Sequence, residues 1–485
     1  MAIRIFSILL IAPLLVSGIC YGRQFTTSIE REGFSNNVQK TFGDSLPSDF
    51  PKISATIFGS PSAGKLFLSN LRFIGSYTPY LMILDNSGAP LFYRKMPKAC
   101  VDFKVQPNGL LTYYDINSNK FYSMDSTYAI TDSFAMKGGY NIDEHDLKFL
   151  PDGHVLMMGY DFEKIDMSLL VPGGNPSATV VGLMIQEIDQ QKNVIFQWKS
   201  WDHFKITDAT HEDLTAEQID YVHANSLDID TDGNILLSSR HLDEVTKIDR
   251  TTGDIIWRWG GKNNQFTFIN DTLGFSHQHG VQRLANGNIL LFDNGNFHPV
   301  RFSRAVEYQL NESTKTATQF WEYRNTPDTY GFAMGYAQRL DNGNTLISWG
   351  AANPTVTEVQ PNGVKVYEMT MDTGMYSYRV FRFPWKEQTS EVRMPEPERI
   401  TLLQSYPNPF NPSTTIFYRV QRETEVTLKI YDALGKLVKT LIEGERTSPG
   451  YYHIEFDGST FASGIYYCRM STPAATEVST MLLIK

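Results

Sequence analysis

Cysteine is nearly absent from this chain, which has three in 485 residues, at positions 20, 100 and 468. A thiolate metal site needs several closely spaced cysteines, and no such spacing is present. Cys100 and Cys468 fall in different predicted domains, so we expect no disulfide between them. These spacings argue against a disulfide-stabilised scaffold and against a zinc-finger type of protein.

A surplus of basic residues is also absent. Lys and Arg total 43 against 53 Asp and Glu, which gives a net charge of −10. Nucleic acids and anionic membrane surfaces are bound mainly through clustered positive charge, so the composition argues against both as partners. An anionic small molecule would have to be bound by a local group of Arg and His.

Long apolar runs are absent after the first residues. Residues 1–22 have the pattern of a secretory signal peptide, with Arg4 before an apolar run and small residues before a cleavage site near Arg23. Cys20 would allow a lipoprotein interpretation, which the large Ile19 before it disfavours. No later stretch is long and apolar enough to cross a bilayer, so we expect an exported mature protein without a transmembrane segment.

Pairs of Asn or Asp with Gly recur between apolar strands. Such a pair favours a type I′ turn between the two strands of a β-hairpin. They occur at Asn108-Gly109, Asp152-Gly153, Asp232-Gly233, Asn286-Gly287 and Asn342-Gly343. Less regular hairpins accompany these turns, and the longest interval between turns holds an insertion at about 161–220.

Four strands per repeat at this period are typical of β-propeller blades. The repeats and an N-terminal unit, Gly64 to Met96, predict an all-β fold with a six-bladed β-propeller over residues 53–386. A long β-sandwich or a β-helix explains the paired hairpins less well. Residues 23–52 are polar and lack periodicity, so we expect an extended N-terminal segment there.

A smaller β domain is predicted after the propeller. Residues 387–400 carry Pro395 and Pro397 among charged residues and are predicted to be a linker. Short alternating strands over residues 401–485 predict a small Ig-like β-sandwich.

The sequence of this second domain resembles the C-terminal sorting domain of the type IX secretion system. The resemblance is carried by SYPNPFNPST (405–414), KIYD (429–432) and SGIYY (463–467), and by the basic terminal Lys485. It implies transport across an outer membrane by the type IX secretion machinery, with removal of the domain and release or surface attachment. We therefore expect a secreted or cell-surface protein; an ordinary Ig-like adhesive domain is the alternative.

Three of the predicted hairpins carry a histidine near the open end. With two-residue turns and regular pairing, the predicted cross-strand pairs are His279 with Asn294, His145 with Tyr160, and Asn225 with Arg240. His223 lies two residues beyond Asn225 on the same face. Because successive blades are related by rotation about the central channel, we expect these side chains to meet on one rim.

Three histidines in phase with an arginine allow more than one interpretation. They can form a buried polar rim without chemistry, or a zinc or copper site. Arg240 argues against a metal, because a permanent cation beside a dication is unfavourable and suits an oxyanion instead. We therefore expect an anion site without a metal.

At these residues the chain resembles the bacterial arylsulfate sulfotransferases, which are six-bladed propellers that do not use a nucleotide sulfate donor. The matching segments are HDL (145–147), HANSL (223–227), SSRH (238–241) and QHG (278–280). The resemblance implies that His279 is the nucleophile and is converted to a sulfohistidine. It implies further that His145, His223 and Arg240 bind the sulfate oxygens, with Asn225 as an additional substrate-binding donor.

The leading functional hypothesis is an exported transferase that moves a sulfuryl group from an aryl sulfate ester to a phenolic acceptor. A neutral imidazole nitrogen can attack sulfur and divide the transfer into two steps, which gives ping-pong turnover without a cofactor. Two alternatives stay open. One is a non-catalytic cell-surface propeller that binds carbohydrate or protein, and the other is a hydrolase of sulfate esters.

Overall fold

The computed structural model describes residues 46–385, 400–420, 423–448, 450–473 and 476–485. The predicted signal peptide, residues 23–45 and nearly all of the predicted linker lie outside the described residues. The chain divides into two compact units, Met1–Glu387 and Gln388–Lys485. Both are built from strands, so the prediction of an all-β fold is confirmed.

The first unit contains short strands separated by tight turns. Its strands are β1 (Ile53–Ile57), β2 (Lys65–Ser69), β3 (Tyr80–Leu84), β4 (Pro90–Lys95), β5 (Cys100–Val105), β6 (Leu111–Asp115), β7 (Lys120–Met124), β8 (Ile130–Phe134), β9 (Asn141–Phe149), β10 (Val155–Ile165), β11 (Ala178–Ile188), β12 (Val194–Lys199), β13 (Gln218–Asp220), β14 (Ala224–Ile229), β15 (Ile235–Ser239), β16 (Glu244–Ile248), β17 (Ile255–Gly260), β18 (Thr267–Ile269), β19 (His279–Arg283), β20 (Ile289–Asp293), β21 (Arg304–Asn311), β22 (Thr316–Tyr323), β23 (Tyr336–Arg339), β24 (Thr345–Ser348), β25 (Val356–Val359), β26 (Lys365–Met371) and β27 (Phe381–Phe383). Over residues 46–385, three short 3₁₀ helices lie at Met167–Leu169, Ser200–Asp202 and Ile206–Asp208.

Within residues 46–385 these strands form six sheets of at least four strands. They are sheet 1 (β27-β2-β3-β4), sheet 2 (β5-β6-β7-β8), sheet 3 (β9-β10-β11-β12, with β13 beside β11), sheet 4 (β14-β15-β16-β17), sheet 5 (β19-β20-β21-β22-β18) and sheet 6 (β23-β24-β25-β26-β1). Consecutive sheets contact each other through their first strands, and β24 of sheet 6 contacts β27 of sheet 1. The six sheets therefore follow one another in a closed circuit.

Both ends of the first unit take part in closing this circuit. The C-terminal strand β27 pairs with β2 and completes the sheet that begins the chain. The N-terminal strand β1 pairs with β26 and completes the sheet that ends it. Strand pairing between the two termini holds the circuit together, because the first and last sheets each contain a strand from the opposite end.

The first strand of each sheet has one edge without a strand partner, and polar side chains of the preceding sheet bind it. Gln106 donates from Nε2 to the Leu147 carbonyl at 2.9 Å and accepts from the Phe149 N–H at 3.2 Å. Gln338 makes the same two bonds to the backbone of Arg382, at 2.9 and 2.7 Å. Each side-chain amide thereby replaces a neighbouring strand, which unpaired backbone groups in a buried edge require.

The same device joins other pairs of sheets through single bonds. The Leu227 N–H donates to Asp146 at 3.2 Å, and the Val281 N–H donates to the hydroxyl of Ser226 at 2.8 Å. The Arg339 N–H donates to Gln282 at 3.3 Å. In each case the side chain comes from the sheet that precedes in sequence, so these side-chain bridges point in one direction around the circuit.

The prediction of a two-residue turn at Asn286-Gly287 is wrong. The Gly287 N–H donates to the Leu284 carbonyl and the Leu284 N–H donates to the Asn288 carbonyl, both at 2.9 Å, which closes a three-residue loop. Gly287 has a φ of 84°, as the third position of this loop requires. The corresponding bonds occur at the other four Asn-Gly and Asp-Gly turns.

The second unit consists of two sheets around one core. Its strands are β28 (Ile400–Tyr406), β29 (Ser413–Val420), β30 (Thr424–Asp432), β31 (Leu437–Thr447), β32 (Gly450–Asp457), β33 (Gly464–Ser471) and β34 (Thr476–Leu483). One sheet has the order β28-β29-β32 and the other has the order β31-β30-β33-β34. Alternate residues of both sheets, among them Ile416, Leu428 and Met470, form the buried core. Within the described ranges, no helix has the length and apolarity needed to cross a membrane.

Replacing Gln338 by alanine should lower the free energy of unfolding by about 1–3 kcal/mol, because it leaves the buried N–H and C=O of Arg382 without partners. Urea unfolding followed by tryptophan fluorescence measures the loss. The matched control is Gln309→Ala, at an exposed position of β21, which should change stability by less than about 0.5 kcal/mol. Equal effects of the two substitutions would contradict a bridging role for Gln338.

Candidate active site

The predicted histidines lie at or next to interruptions in strand pairing. In β9, residues 143–146 lie outside the ladder with β10, and His145 is one of them. In β14 the unpaired residue is Asn225, and in β19 it is Gly280, directly after His279. Bulges of this kind redirect side chains out of the regular alternation of a strand.

None of the three predicted cross-strand pairs is present. The three-residue loops shift each register by one residue, and the bulges shift it again before the histidines are reached. In the structure His279 pairs with Phe292, and Tyr160 pairs with Asn141. The backbone N–H of Arg240 donates to the carbonyl of His223 at 2.9 Å.

The three histidine rings nevertheless lie together. The ring centroid of His145 is 5.0 Å from that of His223 and 6.0 Å from that of His279. The ring of Tyr378 is 5.8 Å from His145 and 5.3 Å from His279. Sheets 3, 4 and 5 thus supply one histidine each to a single group, and Tyr378 lies against two of them.

Aspartates bind two of the rings through Nδ1. Nδ1 of His145 lies 2.7 Å from Oδ1 of Asp143, which also accepts the backbone N–H of His145 at 2.7 Å. Nδ1 of His223 lies 2.6 Å from Asp220, which accepts the backbone N–H of His223 at 3.0 Å. Each aspartate therefore holds both the ring and the backbone of its histidine, and Nε2 is the nitrogen left for other contacts.

The ring of His279 has a different partner. Its Nδ1 lies 2.8 Å from the carbonyl oxygen of Gly335 in the segment before β23. A carbonyl only accepts hydrogen bonds, so Nδ1 carries the hydrogen and Nε2 keeps a lone pair. Burial, and next the positive charge of Arg379, hold the pKa of His279 well below its ordinary value. The ring is therefore neutral at physiological pH.

His145 carries the opposite charge state. Burial disfavours its charged form, but the charge and hydrogen bond of Asp143 outweigh burial and raise the pKa of His145 to about 9. The ring is therefore protonated at neutral pH. Two histidines with ring centroids 6.0 Å apart thus differ in charge, one a cation and the other a neutral imidazole.

Arg240 is connected to the histidine group by the ring of His241. Its Nη1 donates to Nε2 of His241 at 2.9 Å, and its Nη2 donates to the carbonyl of Phe332 at 3.2 Å. The ring of His241 stacks on His223 with centroids 4.5 Å apart. The predicted arginine is therefore next to the histidine group on the side of His223.

The side chain of Asn225 binds the backbone of the neighbouring sheet. Its Nδ2 donates to the Gln278 carbonyl at 2.7 Å, and its Oδ1 accepts the Gly280 N–H at 3.3 Å. These are the residues on either side of His279. Asn225 is fully buried, so its contacts favour a role in positioning His279 over the predicted role as a donor to substrate.

Buried charges lie close to the histidine group. Arg379 donates to Asp102 at 3.0 Å and to the carbonyl of Asn225 at 2.6 Å. Lys104 lies 2.6 Å from Asp102 and 2.5 Å from Asp146. These two cations and two carboxylates join sheets 2, 3 and 4 to the segment that leads into β27.

Several residues of this site were not predicted from the sequence. Asp143 precedes His145 by two positions and Asp220 precedes His223 by three, and this spacing was the available signal. Tyr378 and Arg379 carried no signal, because they lie about a hundred residues beyond the last predicted histidine and reach the site only through closure of the circuit.

Among the residues that the structure describes, three groups of side chains bring potential metal-ligand atoms within 4.8 Å of one another. They are Asp143-Glu144-His145, Asp220-His223-His241 and Asp152-His154-Glu187. In each group a histidine Nδ1 lies within 2.7 Å of a carboxylate oxygen, which is the geometry of a direct hydrogen bond. A metal bound at these Nδ1 atoms would have to displace the hydrogen bonds, so the contacts favour direct histidine–carboxylate hydrogen bonds in all three groups.

Sequence comparison assigns both units to known families. The family model described as Arylsulfotransferase (ASST) matches residues 61–382. The chain belongs to the arylsulfotransferase family. A second family model, described as a secretion system C-terminal sorting domain, matches residues 404–485. The predicted resemblances to these two families are confirmed.

The two matches establish the broad class and destination of the protein. Membership of the arylsulfotransferase family implies a transferase. The type IX sorting domain indicates export by the type IX secretion machinery, to the cell surface or into the medium. No curated protein matches the sequence.

The solved structures that match this chain are distant from it in sequence. A protein of unknown function from Bacteroides caccae is 14% identical, with a TM-score of 0.41 over 66% of this chain and 98% of that chain. A catalytically inactive virginiamycin B lyase from Staphylococcus aureus is 8% identical, with a TM-score of 0.35 over 76% and 96%. A protein from Lactobacillus plantarum is 12% identical, with a TM-score of 0.36 over 81% and 99%.

Replacing Gly280 by alanine should displace His279 and destabilise the fold. Gly280 has a φ of 67°, and a Cβ built there lies 2.3 Å from Cδ2 of Tyr336. The matched control is Gly287→Ala, which has a φ of 84° but no atom within 4 Å of the added Cβ. Both substitutions carry the cost of a left-handed alanine, so the clash should make Gly280→Ala about 1–3 kcal/mol more destabilising. Urea unfolding of the two variants measures this difference; equal values would contradict the close packing of Gly280 on Tyr336.

Proposed function

We propose that this protein transfers a sulfuryl group from an aryl sulfate ester to a phenolic acceptor, without a nucleotide donor, through a sulfohistidine at His279. The observation that carries the proposal is the state of His279. Its Nδ1 is bound to the Gly335 carbonyl, which directs the hydrogen to Nδ1 and leaves Nε2 as a neutral nucleophile. Membership of the arylsulfotransferase family supports the same chemistry.

In the first half of the proposed reaction, Nε2 of His279 attacks the sulfur of the donor ester. The new N–S bond forms as the S–O bond to the aryl group breaks, and the electron pair leaves on the aryl oxygen. In the second half, the oxygen of the phenolic acceptor attacks the same sulfur and the N–S bond breaks. The pair returns to Nε2, and the order of events gives ping-pong turnover.

His145, His223 and Arg240 are proposed to bind the sulfuryl oxygens. Charge in the transferred group is spread over its peripheral oxygens, so fixed donors stabilise the transition state more than new covalent bonds would. One partner histidine also supplies a proton to the departing aryl oxygen in the first half and takes the proton of the acceptor phenol in the second. Asn225 is proposed to hold the backbone on both sides of His279, as its hydrogen bonds to Gln278 and Gly280 favour.

We also propose the finer architecture that was expected from the sequence. The six sheets in a closed circuit support a six-bladed β-propeller, at residues 53–386, with the histidine group on the rim of its central channel. The two sheets of the second unit support an Ig-like sandwich as the sorting domain, at residues 401–485. Residues 1–22 are proposed to be a signal peptide.

Incubating the protein with 4-nitrophenyl sulfate and then digesting it tests the central claim. We expect a sulfate-mass adduct on the peptide that contains His279, because the first half-reaction leaves the sulfuryl group on its ring. His279→Ala should lose both the adduct and nitrophenol release. His154→Ala, at the turn between β9 and β10, is the control and should retain both.

The acceptor dependence separates transfer from hydrolysis. Adding a phenol should raise the rate of nitrophenol release and produce a new aryl sulfate, which chromatography detects. Full activity in His279→Ala, or an adduct on another residue, would refute the nucleophile. Nitrophenol release with no response to added phenol would indicate a sulfate-ester hydrolase instead.

A further inference from the structure

The histidine group contains three chemically identical rings that the protein binds in different ways. His279 is held by a peptide carbonyl, whereas His145 and His223 are held by carboxylates. A carbonyl carries no net charge, so the charge of a ring bound to it depends on the other groups nearby. A carboxylate bound to Nδ1 stabilises the imidazolium form. The three rings therefore differ in the hydrogen-bond acceptor at Nδ1.

The two carboxylate pairs differ in their exposure to water. The side chains of His145 and Asp143 are 9% and 2% exposed, whereas those of His223 and Asp220 are 26% and 28% exposed. Water screens the attraction between charges at an exposed pair and leaves it strong at a buried one. The stabilisation of the charged ring is therefore larger at His145.

The remaining charged groups around His145 do not replace Asp143. Glu144 lies next to it on β9, and burial raises the pKa of Glu144 to about 7. Sheets 4 and 5 place the rings of His223 and His279 against His145, and neither ring offers a carboxylate.

The segment before β27 adds two groups to this side of the ring. Tyr378 donates its hydroxyl to the His145 carbonyl, and its ring is 5.8 Å from that of His145. Arg379 is paired with Asp102 and lies 3.6 Å from Asp146. Neither group offers a carboxylate to His145, so Asp143 is the carboxylate that the structure brings into direct contact with this ring.

Resting on the proposed function, we infer that Asp143 is a positioning residue that holds His145 protonated, with Nε2–H available to the bridging oxygen of the donor ester. His145, rather than His223, then donates the proton to the departing phenolate. The S–O(aryl) bond breaks, its electron pair goes to the aryl oxygen, and the proton of Nε2 converts that oxygen to a phenol. In the second half-reaction His145 takes the proton of the acceptor phenol and returns to its starting state, assisted again by Asp143.

The dependence of rate on the leaving group tests this assignment. A proton donor matters little for 4-nitrophenolate, a stable anion, and much for phenolate, a poorer leaving group. Asp143→Asn keeps the shape of the side chain but removes its charge. The kcat of this variant should fall at least about 10-fold more with phenyl sulfate than with 4-nitrophenyl sulfate. A purely structural defect would lower both rates equally, and that result would overturn the inference.

Two matched variants locate the effect. Asp220→Asn makes the same change at the pair that holds His223, and its two rates should fall in parallel. Asp152→Asn makes it beside His154, in the turn between β9 and β10, and should leave both rates unchanged. Leaving-group sensitivity in Asp220→Asn instead of Asp143→Asn would assign the proton donor to His223 and overturn the inference.

A titration of the full chain tests the inference without substrate. Nitrogen-15 NMR of histidine-labelled protein should show His145 losing its proton near pH 9 in the wild type, because the folded state raises its pKa to about 9. The proton should be present below that pH and lost above it, and the basic limb of the pH–rate profile should lie at the same position. In Asp143→Asn the midpoint should fall toward the ordinary histidine value of about 6.5.

The titration also separates two kinds of failure. A wild-type midpoint below 7 would overturn the role of Asp143 even if Asp143→Asn does not fold. If the midpoint is near 9 but no aryl sulfate is turned over, the proposed function fails while the effect of Asp143 on the charge of His145 remains demonstrated.

Discussion

The structure depends on satisfying the unpaired edge of each first strand. These edges are buried, and an unbonded N–H or C=O there would cost about as much as a lost hydrogen bond. Gln106 and Gln338 meet this requirement with amides that bind both an N–H and a C=O of the next sheet. Asn225 does the same for the strand that carries His279. The contacts that hold the sheets in a circuit therefore also fix the position of the proposed nucleophile.

The histidines of the site differ in charge because their hydrogen-bond acceptors differ. One histidine bound to a carbonyl stays neutral, and another bound to a buried carboxylate is charged. Chemistry that needs a nucleophile and a proton donor can thus be supplied by two identical side chains with ring centroids 6.0 Å apart. The buried ion pairs of Arg379 and Lys104 with Asp102 and Asp146 lie near these rings and add little net charge, since two cations face two carboxylates.

The overall acidity of the chain is consistent with such a site. A net charge of −10 gives no broad attraction for anions, so the proposed anionic ester would have to be bound by a few fixed positive groups. Arg240 and the protonated His145 are the groups proposed to bind it. The second unit has a core of its own and matches the sorting-domain family, which separates export from the chemistry of the first unit.

The sequence by itself determined the all-β class, the two families and the residue types that meet in the histidine group. Turn pairs repeat visibly, and His145, His223 and His279 lie in short motifs, so local patterns were enough. The register of the hairpins was not predictable, because an Asn-Gly pair fits both a two-residue and a three-residue loop and the bulges at Asn225 and Gly280 have no local signature. Only the tertiary structure decided which atom binds each Nδ1, since the Gly335 carbonyl comes from the segment before β23, 56 residues beyond His279 in the chain. The charge of each ring depends on that partner and on burial, and both are properties of the folded chain.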